Sequence, residues 1–226
     1  MFGRKVGFGK KRHSLEEMKE MMRPTPDSDG VTRVFSKELW DDPERGARLR
    51  ELGFHPDDPR NIQKTAQDYL AMFAAAKQRL QERTAEFNRE MTARHGYCNA
   101  APFLVIDHTI YDGENGAFLY AQLDLIGFDD WNVIMMAADM QTKQTCDLAG
   151  HPGVIPAHSE GMARRVADWK RRYDFVLETF GITATGCDGI SPEQFIAEQN
   201  ALRTEILEFV DRAKPLIVKE LLRIQG

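Results

Sequence analysis

Apolar residues recur at spacings of three and four along three stretches of the chain. The first runs through Ile62, Ala66, Tyr69, Phe73, Ala76, Leu80, Phe87 and Met91, with Thr84 as its polar member. Such a stripe marks a helix with one face turned to a core. Asp58 stands at an N-cap position, Pro59 falls in the first turn where its missing N–H has no partner to lose, and Gly96 supplies a left-handed stop. The pattern therefore predicts one helix over 58–95. At 1.5 Å per residue it would be roughly 55 Å long, against a radius of gyration of about 17 Å for a compact chain of this size. Such a helix must span the molecule or project from it.

The second stripe, Met162, Val166, Trp169, Tyr173, Val176 and Phe180, follows Ser159 as N-cap and precedes Gly181, which predicts a helix over 160–180. The third, Phe195, Leu202, Ile206, Phe209 and Ala213, is widened by Ile196, Leu207 and Val210. Ser191 and Pro192 open it, and Pro215 is expected to kink it before 216–224. Its broader face predicts the most buried of the three helices. Shorter elements precede them: a helix over 15–22 behind the Ser14/Glu17 capping box, an edge strand over 31–35, and a helix opened by Asp42 and Pro43 and closed by Gly53.

Between the first and second stripes the pattern changes. Segments 103–111 and 117–126 flank the turn string Asp-Gly-Glu-Asn-Gly at 112–116, which predicts a β-hairpin, and 131–139 predicts a third strand of a small antiparallel meander. Residues 97–160 carry nine Asp or Glu, Lys143 and no arginine. That composition shift marks 97–158 as an acidic hairpin subdomain inserted into a single mainly helical domain, 14–226. The expected fold class is α+β, mainly helical: a bundle of long helices with an inserted antiparallel hairpin or meander.

Composition narrows the function classes. With 42% hydrophobic and 9% aromatic residues in 226, the chain can build a core, and a net charge of −5 argues against a surface that grips nucleic acid all over. The longest apolar run is six residues, Val133 to Ala138, too short to cross a membrane, so the chain is not expected to be an integral membrane protein. Three cysteines make no disulfide framework, and no secretory signal is read at the N-terminus, so a soluble cytoplasmic protein is expected. Charge is concentrated locally in residues 1–13, where Arg4, Lys5, Lys10, Lys11 and Arg12 stand without an acid among Phe2, Val6 and Phe8. This predicts a flexible basic arm able to meet an anionic partner, membrane or nucleic acid, against the plainer role of a solvated tail. Its glycines lack the spacing and following Ser or Thr of a phosphate loop.

Chemical signatures are sparse. Glu-x-x-His, His-Glu-x-x-His, Gly-x-Ser-x-Gly and paired Cys-x-x-Cys clusters are absent from the sequence. His55 has no metal-ligand partner nearby in sequence. His95, Cys98, Cys146 and His151 could in principle close a four-ligand zinc site, with His108, His158 and Cys187 in the same region, but their spacing is unspecific and the expected state is no metal and no cofactor. Cys98 follows a helix C-terminus and Cys146 precedes Asp147; both settings resist thiolate formation. Asp107 and His108 would face opposite sides of a strand, and Asp107 on the apolar side would need a partner or a raised pKa. The sequence thus favours a non-enzymatic structural or adaptor subunit contacting a protein partner, or a second copy of itself, through 58–95 and through the basic arm. A hydrolase or metal-dependent enzyme with its site on 97–160 is the alternative, and peripheral binding to membrane or nucleic acid through 1–13 a third.

Overall fold

The computed structural model describes residues 37–51, 64, 66–111, 113, 115–153, 155–184 and 192–225. The expected elements at 15–22 and 31–35, the Asp58 cap, Ile62 and the basic arm lie outside these residues. The fold is mostly helical with one small antiparallel sheet, an α+β arrangement.

Two short helices come first, α1 (Lys37–Asp41) and α2 (Pro43–Glu51). As the Asp-Pro pair predicts, the Asp42 carboxylate accepts the Glu44 N–H at 3.0 Å and opens α2. The long helix follows as α3 (Ala66–His95), 30 residues and about 45 Å. It is shorter than the predicted 58–95, because Lys64 is already outside any helix. Its end is where the sequence places it: Gly96 turns to φ +84° and its N–H returns to the Thr92 carbonyl at 2.8 Å.

The predicted hairpin is replaced by a different pairing. Strand β1 (Ala100–Leu104) leads into one helical turn, α4 (His108–Tyr111), and a second short helix, α5 (Ala117–Ala121). A 3₁₀ turn over Asp130–Asn132 then feeds β2 (Val133–Ala137), which pairs antiparallel with β1 from Ala100↔Ala137 to Leu104↔Val133. The third predicted strand is therefore the partner of the first, and 117–126 is no strand. Asp107 acts as a local helix start, accepting both the Thr109 N–H and its hydroxyl at 2.8 Å. Gly116 lets α5 fold back onto α4, since a Cβ there would collide with the Ile110 carbonyl. Helix α6 (Met140–Cys146) is capped by Asp139, whose carboxylate accepts the Thr142 N–H at 2.7 Å.

Helix α7 (Pro156–Ala184) starts before the expected cap, with Pro156 at its first position and the Ser159 N–H already bonded to the Ile155 carbonyl at 3.0 Å. It also continues through Gly181. At 29 residues it is nearly as long as α3. The last helix, α8 (Pro192–Gln225), opens at the predicted proline and runs through Pro215. Among described side chains it buries Phe195, Ile196, Leu202, Ile206, Val210 and Leu221, whereas α7 buries Met162, Val166, Trp169 and Tyr173, in keeping with its broader stripe.

The main core is shared between the middle segment and the last two helices. Val105, Ile106, Ile110, Tyr111, Phe118, Leu119, Leu123 and Leu125 pack with those α7 residues and with Phe195, Leu202, Ile206 and Val210 of α8; α3 places none of its described residues among them. The α3 stripe is real but packs on the middle segment instead of on the other long helices. Phe73 meets Tyr120 edge-on at 4.9 Å and Phe128 at 6.3 Å, Thr84 faces the Met135 sulfur at 3.9 Å, and Phe87 and Met91 cover Cys98, Ala100 and Cys146. Ala76 and Leu80 are its fully buried positions among described side chains. Two acids of the middle segment meet bases on α3, Arg79 reaching Asp129 at 2.9 Å and Arg83 reaching Asp130, and Lys214 of α8 donates to the Asp130 backbone carbonyl at 2.7 Å. Lys64 likewise meets Asp124 at 3.0 Å. The acidic composition is thus a complement to neighbouring helices as much as the mark of a separate unit. No helix among the described residues is long and apolar enough to cross a membrane.

Candidate functional site

A two-stranded sheet leaves strand edges whose backbone groups need partners. At β1 the partner is a side chain. The Asn88 amide on α3 accepts the Ala100 N–H at 2.6 Å and donates to the Ala100 carbonyl at 3.0 Å, doing for one residue what a neighbouring strand would do. Two residues on, Pro102 has no N–H to offer. Between this edge and α3 lies a groove of about 550 Å³, walled by Lys77, Gln81, Thr84 and Asn88 of α3 and by Pro102 and Leu104 of β1, with Phe128 at one end. A second hollow of about 570 Å³ lies between α7 and α8 at Arg171, Phe175 and Glu198. The α3 groove is the one that adjoins the sheet edge and the polar clasp of Asn88.

The proposed metal ligands do not converge. Cys98 and Cys146 are free, buried and in one small cluster, Cys98 donating to Asn88 Oδ1 at 3.3 Å and Cys146 to the Tyr97 carbonyl at 3.2 Å. His95 is exposed at the end of α3. His151 sits against Phe103, its Nε2 3.3 Å from the Pro102 carbonyl and its Nδ1 accepting the Gly153 N–H at 3.1 Å. His158 flanks the same ring, with Nε2 2.8 Å from the Val105 carbonyl. These two histidines clamp the backbone around β1. Among the described residues no group of three or more His, Cys, Asp or Glu is arranged to hold a metal ion. Cys187, His55 and the arm residues Arg4, Lys5, Lys10, Lys11 and Arg12 lie outside the described residues.

Electrostatics follows from these contacts. Burial works against the Asp107 carboxylate, but the Thr109 N–H and hydroxyl, then His108 and His158, outweigh it and hold its pKa below the usual value instead of raising it. Because His108 opens a helix and does not continue a strand, its Nδ1 also comes within 3.3 Å of Asp107 on the same side, where the strand expectation had separated them. Burial first, and the adjoining Cys146 thiol second, push the Cys98 thiol up to about 11, so it resists deprotonation. Asp139 is held down to about 2 by the Thr142 N–H, helped by Asn99 and by Tyr97, whose hydroxyl donates at 2.8 Å. Both carboxylates are thus committed to backbone N–H groups at the start of a helix.

The asparagines Asn88 and Asn132 leave no trace in hydrophobic periodicity. Asn132 is fully buried and pairs with Ile106 as Asn88 does with Ala100, accepting its N–H at 2.7 Å and donating to its carbonyl at 2.9 Å. Their partners are distant in sequence, so no local motif announces them. Comparison with protein-family models, with curated proteins and with solved structures finds no match to the chain.

Proposed function

We propose that the chain is a non-enzymatic structural or adaptor subunit that works by protein–protein contact along α3, with the basic arm of residues 1–13 as a second contact. The observation that supports this is the groove between α3 and the β1 edge, which carries apolar Pro102, Leu104 and Phe128 between polar residues of the helix. Leu70, one heptad before Lys77 and so on the same helical face, is 70% exposed and extends the apolar surface. A partner would dock by inserting side chains and not by adding a strand, because Asn88 occupies the Ala100 backbone groups and Pro102 cannot donate. Three groups of the 97–160 segment that could serve an enzyme are engaged with backbone: Asp107 at Thr109, Asp139 at Thr142, His158 at Val105.

The test is a photo-crosslinking side chain at Gln81, compared with one at Arg164 on α7, in the full chain expressed in its source cells and in the purified protein at micromolar concentrations. A discrete adduct, with a protein partner or a second copy, is expected from position 81 alone, and Leu104→Arg should abolish it without lowering the melting temperature. Equal products from both positions, or an adduct indifferent to Leu104→Arg, would sink the proposal. An undiminished adduct in a chain lacking residues 1–12 would leave α3 as the contact and remove the arm.

A further inference from the structure

Cys98 lies two residues past the Gly96 stop, just before β1, and Cys146 is the last residue of α6. Hydrogen bonds at Asn99 tie the two stretches together beside the thiols. The Asn99 N–H donates to Thr142 Oγ1 at 2.8 Å, the Ala138 N–H to the Asn99 carbonyl at 2.9 Å, and Asn99 Nδ2 to Asp139 at 3.0 Å. Cys146 Sγ reaches back to the Tyr97 carbonyl beside Cys98. Within this frame the two thiols share one buried cluster with Ala100, under Phe87, Met91 and Leu148.

We propose that Cys98 and Cys146 form a dithiol modification site that closes into an intramolecular disulfide when it meets a small-molecule disulfide such as oxidised glutathione. One protein thiol gives up its proton and its thiolate attacks a glutathione sulfur; the glutathione S–S bond breaks and the departing thiolate takes up a proton. The second protein thiolate then attacks the protein-side sulfur of the mixed disulfide and expels the second glutathione, which is likewise protonated. The protein loses two protons and two electrons, and glutathione disulfide gains them as two thiols. The second step needs a partner sulfur at disulfide range, which an isolated buried thiol lacks. Because the frame already holds the two stretches together, closure demands little backbone movement. The bond would fasten the α3–β1 junction to the C-terminal end of α6, and it stands independently of any partner in the α3 groove. Thiolate is scarce in so apolar a setting, so closure is expected to be slow at neutral pH and faster in mild alkali.

The experiment treats the folded full chain with excess oxidised glutathione at pH 8.5, quenches with acid, alkylates under denaturing conditions and maps the peptides by mass. Expected is a chain lighter by two hydrogens, with the Cys98 and Cys146 peptides joined, and a melting temperature raised by roughly 10 °C that dithiothreitol reverses. Glutathione adducts persisting on either cysteine, a link to Cys187, or both thiols still alkylatable while the urea-unfolded chain is oxidised would each overturn it.

Discussion

Two asparagine amides carry a share of this fold that their neighbours' chemistry does not suggest. Asn132 holds Ile106 by both backbone groups and also donates to the Gly127 carbonyl at 2.9 Å, all within the core. Asn132→Ala would orphan one N–H and two carbonyls where water does not reach, and should cost about 3 kcal/mol or more, given roughly 1–3 kcal/mol for a buried unsatisfied group. Asn88→Ala removes the same kind of clasp beside an open groove, where water can replace it, and should cost only about 1 kcal/mol. Urea denaturation of the pair measures the difference; equal losses would show that the location of the amide is not what matters. Such residues are illegible in a sequence because an amide's partner is chosen by tertiary structure. The histidines and cysteines were visible as a concentration, but which of them meet was not: Cys98 and Cys146 are together, while His151 and His158 are spent on carbonyls near Phe103.

At the level of elements, boundaries written in local chemistry could be read and those decided by competition could not. Gly96, the Asp42-Pro43 pair and Pro192 mark the ends of helices as their own stereochemistry dictates. Pro156 takes the first helical position ahead of Ser159, and Gly181 is passed because a glycine inside a helix costs only about 1 kcal/mol relative to alanine. Segment 117–126 is apolar enough for either state; its Ala and Leu content suits the helix formed over 117–121, while the Val and Ile of 133–134 enter the strand. The cap of α6 gives a pH signature. Asp139 titrates near 2 in the fold against 3.8 as its ordinary value, so its contribution is fully present above about pH 4 and is lost as pH falls through 2. Asp139→Asn keeps an acceptor for the Thr142 N–H but no longer titrates, and should flatten that part of the acid limb when stability is followed by circular dichroism from pH 5 to 2. An unchanged slope would mean that other carboxylates set it.

For the molecule as a whole, the stripes reveal which helices exist but not which stripe faces which. The acidic run suggested something added to a bundle; its apolar half is instead one wall of the main core, while Asp129 and Asp130 meet Arg79 and Arg83. Replacing 97–158 by a short Gly-Ser linker should therefore abolish the cooperative thermal transition of the remaining helices. A sharp melt retained in that deletion would mean that the helices fold without it. The same division of the core bears on synthesis. Leu119, Leu123 and their neighbours are made long before Leu202, Ile206 and Val210, which cover them. During synthesis α7 can cover part of that apolar wall, but the core cannot close until α8 emerges, so completion of the fold comes late in translation.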